Sequence, residues 1–242
     1  MKTYNFRHNE CYLHGDTHST ELAYNAILHK IPEGSDYLHL GDLGIGFGSD
    51  MNVVHRALST LDRINKLCHK LNIIGYFLRG NHDATYDEIW SSEWSNIRLI
   101  KDSAYAIFPN GKKALLVSGG ISVDRCTRCN GFDYWVGEPT PILKNLEKCD
   151  IMFSHDCPEH FNHATSSLYE RFQWAIDKDP LLVEDCNIQR INMSHIAKDS
   201  GVNTIVYGHF HNSTIEYIDG VYARCININD VFTFDANIEY KL

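Results

Sequence analysis

Five apolar runs in this chain stop at a small residue followed by an oxygen or imidazole donor, and that recurrence constrains the fold more than any bulk property. Tyr37 to Leu40 ends in Gly41-Asp42, Cys11 to His14 in Gly15-Asp16-Thr17-His18, and Ile73 to Arg79 in Gly80-Asn81-His82-Asp83. Later, Asp150 to Ser154 leads into His155-Asp156, and Thr204 to Tyr207 into Gly208-His209-Phe210-His211. The runs are of strand length, and a glycine at a strand end leaves room for other groups to approach. The five ends are therefore expected to meet. Asp42 would sit at their centre, with one carboxylate oxygen on each of two metal ions.

Composition bounds what such a chain can be. With 242 residues and 43% hydrophobic content it can bury a sizeable core. No repeat or linker-like tract divides it, so residues 1–242 read as one domain. A formal charge of -9 argues against broad binding to nucleic acid, which needs a lysine- and arginine-rich surface. The amino terminus lacks the apolar core of a secretory signal and no stretch is long enough to span a membrane, so a cytoplasmic location is expected. Eight cysteines show no paired framework and read as small buried hydrophobes. Cys126 and Cys129 have the spacing of half a zinc site, but no second pair completes it, and two free thiols in a loop are expected.

In chain order, Ser19 or Thr20 can cap a helix carrying Leu22, Ala23, Ala26 and Ile27 on one face. Gly44, Gly46 and Gly48 follow Asp42 without the lysine of a phosphate-binding loop, so they read as a flexible lip. From Asp50 to Leu71, Val54, Leu58, Leu61, Ile64, Cys68 and Leu71 recur at three- and four-residue steps, the mark of an amphipathic helix. Neighbouring strands are expected over 97–100, 104–108 and 113–118, so the fold is not purely parallel. The loop from Gly119 to Pro141 carries Asp124, Arg125, Arg128, Tyr134, Trp135 and Glu138 and is expected to wall the pocket. A helical insertion is expected around 157–200, with one helix through Leu168, Phe172 and Ile176 and another through Leu181, Ile188, Ile191 and Ile196.

The donors themselves suggest the chemistry. Asp16 and His18 lie two apart on what reads as an extended loop, and His209 and His211 share that spacing, so each pair can point one way. Carboxylates, neutral imidazoles and the Asn81 amide oxygen suit manganese, iron or zinc. Two divalent ions less Asp16, Asp42 and a bridging hydroxide leave a charge of about +1, which attracts phosphate even in an acidic protein. His82 has no metal to bind in this scheme. Oriented by Asp83, it would protonate a departing alkoxide.

Gly15-Asp16-Thr17-His18, Gly41-Asp42, Gly80-Asn81-His82-Asp83, His155 and Gly208-His209-Phe210-His211 occur in the order seen in calcineurin-like metallophosphoesterases, and the chain resembles that family from Asp16 to His211. The resemblance implies an α/β fold, a four-layer α/β/β/α sandwich of two mixed sheets. It implies a first ion held by Asp16, His18, Asp42 and His211, a second held by Asp42, Asn81, His155 and His209, and His82 assisting the leaving group. The ions would be two divalent or mixed-valence metals (manganese, iron or zinc). The activity would be hydrolysis of phosphate mono- or diesters of a small phosphorylated substrate by attack of the metal-bridging hydroxide. Alternatives are a nuclease of this fold or a non-catalytic protein-binding scaffold. Asp42 is followed by Leu43-Gly44, where the family's protein phosphatases continue into Asp-Arg-Gly, so their phosphate-gripping arginine is out of place. Arg125 or Arg128 is the expected replacement.

Overall fold

The computed structural model describes residues 1–18, 21–47, 52–161 and 172–241. Each of the five donor-bearing runs is a strand whose carboxyl end opens into its donor loop. In the first sheet β2 (Glu10–His14), β3 (Asp36–His39) and β4 (Ile74–Leu78) run parallel, pairing His14 with His39 and His39 with Phe77. Because that register brings the three strands to a common end, their loops emerge side by side. β5 (Ile97–Ile100) continues the sheet and β12 (Val231–Asp235) closes its other edge antiparallel, in the order β12-β2-β3-β4-β5.

The second sheet has the order β1 (Lys2–Asn5), β6 (Ser103–Ile107), β7 (Lys113–Val117), β8 (Ile151–Ser154), β9 (Thr204–Tyr207), β11 (Val221–Cys225), β10 (Thr214–Ile218). At its middle β8 and β9 are parallel and carry the two remaining donor loops. β6 and β7 form an antiparallel hairpin, as do β10 and β11. The edge strand β1 pairs parallel with β6 and has no counterpart in the sequence reading, since its side chains are mostly polar and exposed.

The sheets pack face to face through Leu13, Leu38, Leu40, Leu78, Leu116, Phe153, Val206 and Phe234. Phe153 and Phe234 meet edge to face with centroids 5.1 Å apart, a geometry that adds to the gain from burial. α1 (Glu21–Leu28) and α2 (Val53–Lys70) cover the outer face of the first sheet. The buried stripe of α2 is Val53, Ala57, Leu61, Ile64 and Cys68, one residue away from the expected stripe at its first two positions. In α1, Tyr24, Ile27 and Leu28 face inward while Ala26 is exposed. After the short helices α3 (Asp87–Trp90) and α4 (Gln173–Ile176), α5 (Leu182–Ser200) covers the second sheet through Met193 and Ile196 and ends on a left-handed glycine, Gly201, whose N–H returns to Ala197. The result is a four-layer α/β/β/α sandwich of two mixed sheets.

The expected face of α5 needs correction. Leu181, Ile188 and Ile191 are exposed, and the buried face is Leu182, Cys186, Gln189, Arg190, Met193 and Ile196. Ser19, Thr20, Gly48, Asp50 and Leu168 lie outside the described residues, as do the side chains of Leu22 and Ala23. No described helix is long and apolar enough to cross a membrane.

Candidate metal centre

The carboxyl ends of β2, β3, β4, β8 and β9 open on one edge of the sandwich. The Asp42 carbonyl accepts the N–H groups of Thr17 (3.1 Å) and His18 (2.9 Å), which ties the first donor loop to the second, and the His155 carbonyl accepts the Gly208 N–H (3.1 Å). The pairs two apart in sequence are not on extended backbone. His18, Asp42, His209 and His211 all have positive φ, 47°, 57°, 68° and 49°, a region that costs about 1–3 kcal/mol per non-glycine residue and is held only where the surroundings demand it. These turns splay His209 and His211 toward different partners.

Among the described residues two groups of donors, Asp16 with His18 and His211 and Asp42 with His155 and His209, are joined where Asp42 approaches His18, and a third, overlapping set of His18, Asp42 and His82 lies at the rim. In one, His211 Nε2 is 3.0 Å from Asp16 Oδ2 and 2.8 Å from His18 Nε2, and His18 Nε2 is 3.9 Å from Asp16 Oδ2 and 3.8 Å from Asp42 Oδ2. In the other, His155 Nε2 is 3.4 Å from Asp42 Oδ1 and 3.0 Å from Asn81 Oδ1, with His209 alongside. Asp42 thus turns one oxygen to each group. Close packing makes this possible: a Cβ on Gly80 would fall 2.1 Å from Asp42 Oδ1, and one on Gly208 2.5 Å from Asp16 Oδ1. Only glycine lets these carboxylates lie so near the neighbouring backbone.

The donor set fits cations. Atoms that ligate one ion at about 2.1 Å stand about 3.0–3.4 Å apart in octahedral or tetrahedral geometry, close to most of the separations found. The proton arrangement points the same way. His155 Nδ1 lies 2.9 Å from the Leu40 carbonyl, which can only accept, so Nδ1 carries the proton and in the neutral ring Nε2 presents a lone pair. That lone pair faces the oxygens of Asn81 and Asp42 with no proton between them. Asp16 Oδ2 is buried and receives no aligned hydrogen bond. Converging lone pairs of this kind repel unless a cation lies among them.

Burial sets the protonation states. It pushes His18 down to about 4 and, with His155 adding to it, holds His209 well below the ordinary imidazole value. Both rings are neutral at pH 7, as ligation requires. Burial also raises the Asp42 carboxyl well above its usual range, helped by the charges of Asp16 and Asp83. At Asp16 burial works upward too, but the close approach of His211, with His155 and the His209 N–H, outweighs it and holds the carboxyl low.

His82 sits at the rim, its Nε2 3.9 Å from Asp42 Oδ2, and its N–H donates to Asp42 Oδ1 at 2.7 Å. Its expected partnership with Asp83 is absent. The Asp83 carboxylate turns inward and accepts the N–H groups of Gly80 (2.8 Å), Ile45 (2.8 Å) and Leu43 (3.3 Å), because these backbone donors are buried and need an acceptor. Asp83 therefore braces the second donor loop against the third. His82 instead receives Arg128, whose Nη2 is 2.8 Å from His82 Nε2, and burial together with this guanidinium lowers the ring's basicity.

Arg128 lines a cavity of about 380 Å³ over the donors, with Val123, Asp124, Phe172, Phe210 and Ile228. Arg125 does not reach it. Its guanidinium is held by Asp179 (2.5 Å) and Asp185 (2.6 Å), in a separate groove, so of the two expected phosphate-binding cations only Arg128 faces the centre. Phe47, whose ring lies 5.1 Å from that of His82, and Ile228 are lone apolar residues in loops and carry no periodic signal in the sequence, whereas Phe172, expected on a helix of the insertion, immediately precedes α4 and lines the cavity. Cys126 and Cys129 are exposed free thiols.

The sequence profile of calcineurin-like phosphoesterases matches residues 12–213. Among solved structures, a phosphopantetheinyl hydrolase (PptH) from Mycobacterium tuberculosis is 11% identical, with 95% of this chain and 92% of that one covered and a TM-score of 0.48. A second structure is 9% identical over 91% of each chain, also with a TM-score of 0.48. No curated protein sequence matches. The matched segment runs from β2 through the last donor loop and so contains both groups of donors gathered around Asp42; the chain belongs to the calcineurin-like phosphoesterase family and is a metal-dependent phosphoric ester hydrolase.

Proposed function

We propose that the chain hydrolyses mono- or diesters of small phosphorylated molecules at a centre of two ions, one held by Asp16, His18, Asp42 and His211 and the other by Asp42, Asn81, His155 and His209. The observation that carries this reading is the Asp42 carboxylate, with one oxygen toward each group of donors. When bound, two such cations supply a water acidified to near neutrality and charge to neutralise the phosphate.

The chain's own residues do the rest. Arg128, whose guanidinium lies beside the donors and is paired with Asp124 at 2.5 Å, turns its donor fork to a phosphate oxygen of the group under attack. As phosphate draws Arg128 away, the His82 Nε2 lone pair that now accepts from Arg128 is freed, and the ring would take up a proton from solvent there and pass it to the leaving oxygen. Phe172, Val123 and Ile228 form an apolar wall for the ester's organic part. Manganese, iron and zinc all suit this donor set.

The test is hydrolysis of p-nitrophenyl phosphate and its bis ester by manganese-loaded protein, with an EDTA-treated sample alongside. Turnover of either ester that EDTA abolishes and manganese restores is expected. A protein that binds no metal and turns over neither ester would instead be a scaffold of this fold.

A further inference from the structure

Asn81 can ligate a metal only through Oδ1, so something must fix which end of its amide faces the cavity. The answer lies in the loop that follows β7. Asn81 Nδ2 is 3.1 Å from the Ser122 hydroxyl, that hydroxyl is 2.8 Å from Glu138 Oε2, and the Ser122 N–H donates to Glu138 Oε1 at 2.6 Å. Arg128 Nη1 is the hydroxyl's third partner, at 3.1 Å. Ser122 is wholly buried and Glu138 is 1% exposed, so water does not compete for these bonds.

A hydroxyl has one proton and two lone pairs, and a carboxylate can only accept. Ser122 therefore gives its proton to Glu138 and must accept from its two other partners. Arg128 takes one lone pair and has no other polarity to offer. The second is left for Asn81, which can fill it only with Nδ2, so Oδ1 turns to His155 and the centre. We propose that Glu138 is a positioning residue which, through the Ser122 hydroxyl, fixes the ligating orientation of Asn81. The inference rests on the two-ion reading above.

Glutamine at position 138 reverses the chain of donors. The Ser122 backbone N–H cannot change polarity and keeps the glutamine carbonyl oxygen, so the glutamine NH₂ must face the Ser122 hydroxyl. That hydroxyl then accepts from glutamine and Arg128 and sends its proton to Asn81, which turns Oδ1 away from the centre and presents NH₂ in its place. An NH₂ group has no lone pair for a metal. Burial pushes the Glu138 carboxyl up to about 7, while Ser122 and Arg128 pull it down, so measurements belong at pH 8, where it is ionised.

The experiment titrates manganese into metal-free wild type, Glu138→Gln, Ser122→Ala and Ser122→Thr at pH 8 by calorimetry, with circular dichroism to verify folding. Supporting bonds behind metal ligands change affinity about 10- to 100-fold. Glu138→Gln and Ser122→Ala should each weaken one of two ions by that factor and leave the other within about threefold of wild type, while Ser122→Thr keeps the hydroxyl and both ions. A metal-independent reading comes from the Asn81 side-chain amide protons, slow to exchange in metal-free wild type and fast in Ser122→Ala. Two ions bound with wild-type affinity by Glu138→Gln and Ser122→Ala would overturn the positioning role alone. Fewer than two ions in wild type would overturn the two-ion reading as well.

Discussion

Replacing Arg128 with alanine, next to the same change at Arg125, separates two cations that look interchangeable in the sequence. Arg128 has a side chain only 6% exposed, lines the cavity, and has Nη2 within 2.8 Å of His82 Nε2. Arg125 is committed to Asp179 and Asp185 in another groove. A hydrogen bond to a charged group contributes about 1.5–3 kcal/mol, and each 1.36 kcal/mol is tenfold in rate. Loss of one such bond to phosphate therefore lowers kcat/KM by about 10- to 150-fold in Arg128→Ala. Arg125→Ala, which removes no group from the cavity, should stay within about threefold of wild type. The assay is steady-state hydrolysis of p-nitrophenyl phosphate and its bis ester at saturating manganese. If Arg125→Ala cost as much as Arg128→Ala, or if Arg128→Ala ran within threefold of wild type, the assignment of the phosphate-binding cation would be wrong.

Gly80→Ala places a Cβ 2.1 Å from Asp42 Oδ1, so it should reduce manganese-dependent turnover by on the order of 100-fold or more with the far-ultraviolet circular dichroism intact; wild-type turnover would contradict the packing argument. Leu38 is fully buried between the sheets, and Leu38→Ala should lower unfolding free energy in urea by about 2–5 kcal/mol, whereas Ile142→Ala, at a site 76% exposed, should change it by less than about 0.5 kcal/mol. His39 is buried with its ring held well below the ordinary value by burial and the nearby His14. Its neutral form favours the folded state above the unfolded value of about 6.5, and that stabilisation is lost as pH falls below it, at up to about 1.4 kcal/mol per pH unit. Metal-free His39→Gln should therefore lose less stability than wild type between pH 6.5 and 5, by at most about 1.6 kcal/mol; equal losses in urea melts would show that His39 is not buried neutral.

The features legible in the sequence were those with a repeated or periodic signature. Each of the five donor loops follows a strand, β5 and β9 have the expected limits, and α2 falls where its apolar spacing placed it. What escaped was decided by polarity satisfied at a distance. On α5 the buried face includes Gln189, which bonds Thr140, and Arg190, which donates to the carbonyls of Pro158, Glu159 and Phe161. A search for apolar periodicity therefore chose Ile188 and Ile191, which face outward. Asp83 stands next to His82 in sequence, yet three buried N–H groups on two loops claim its carboxylate. The positive φ angles of His18, His209 and His211 were hidden for a similar reason, since packing rather than residue type imposes them. Glu138 was visible as part of a mixed loop, but its link to Asn81 through Ser122 exists only in three dimensions.

In the proposed centre Asp42 serves two cations at once. Anomalous diffraction from crystals grown with manganese tests this directly, because it locates the ions independently of activity. Two peaks about 3.5–4 Å apart on either side of the Asp42 carboxylate are expected. A single peak, or peaks elsewhere on the surface with Asp42 unligated, would contradict a shared role for Asp42.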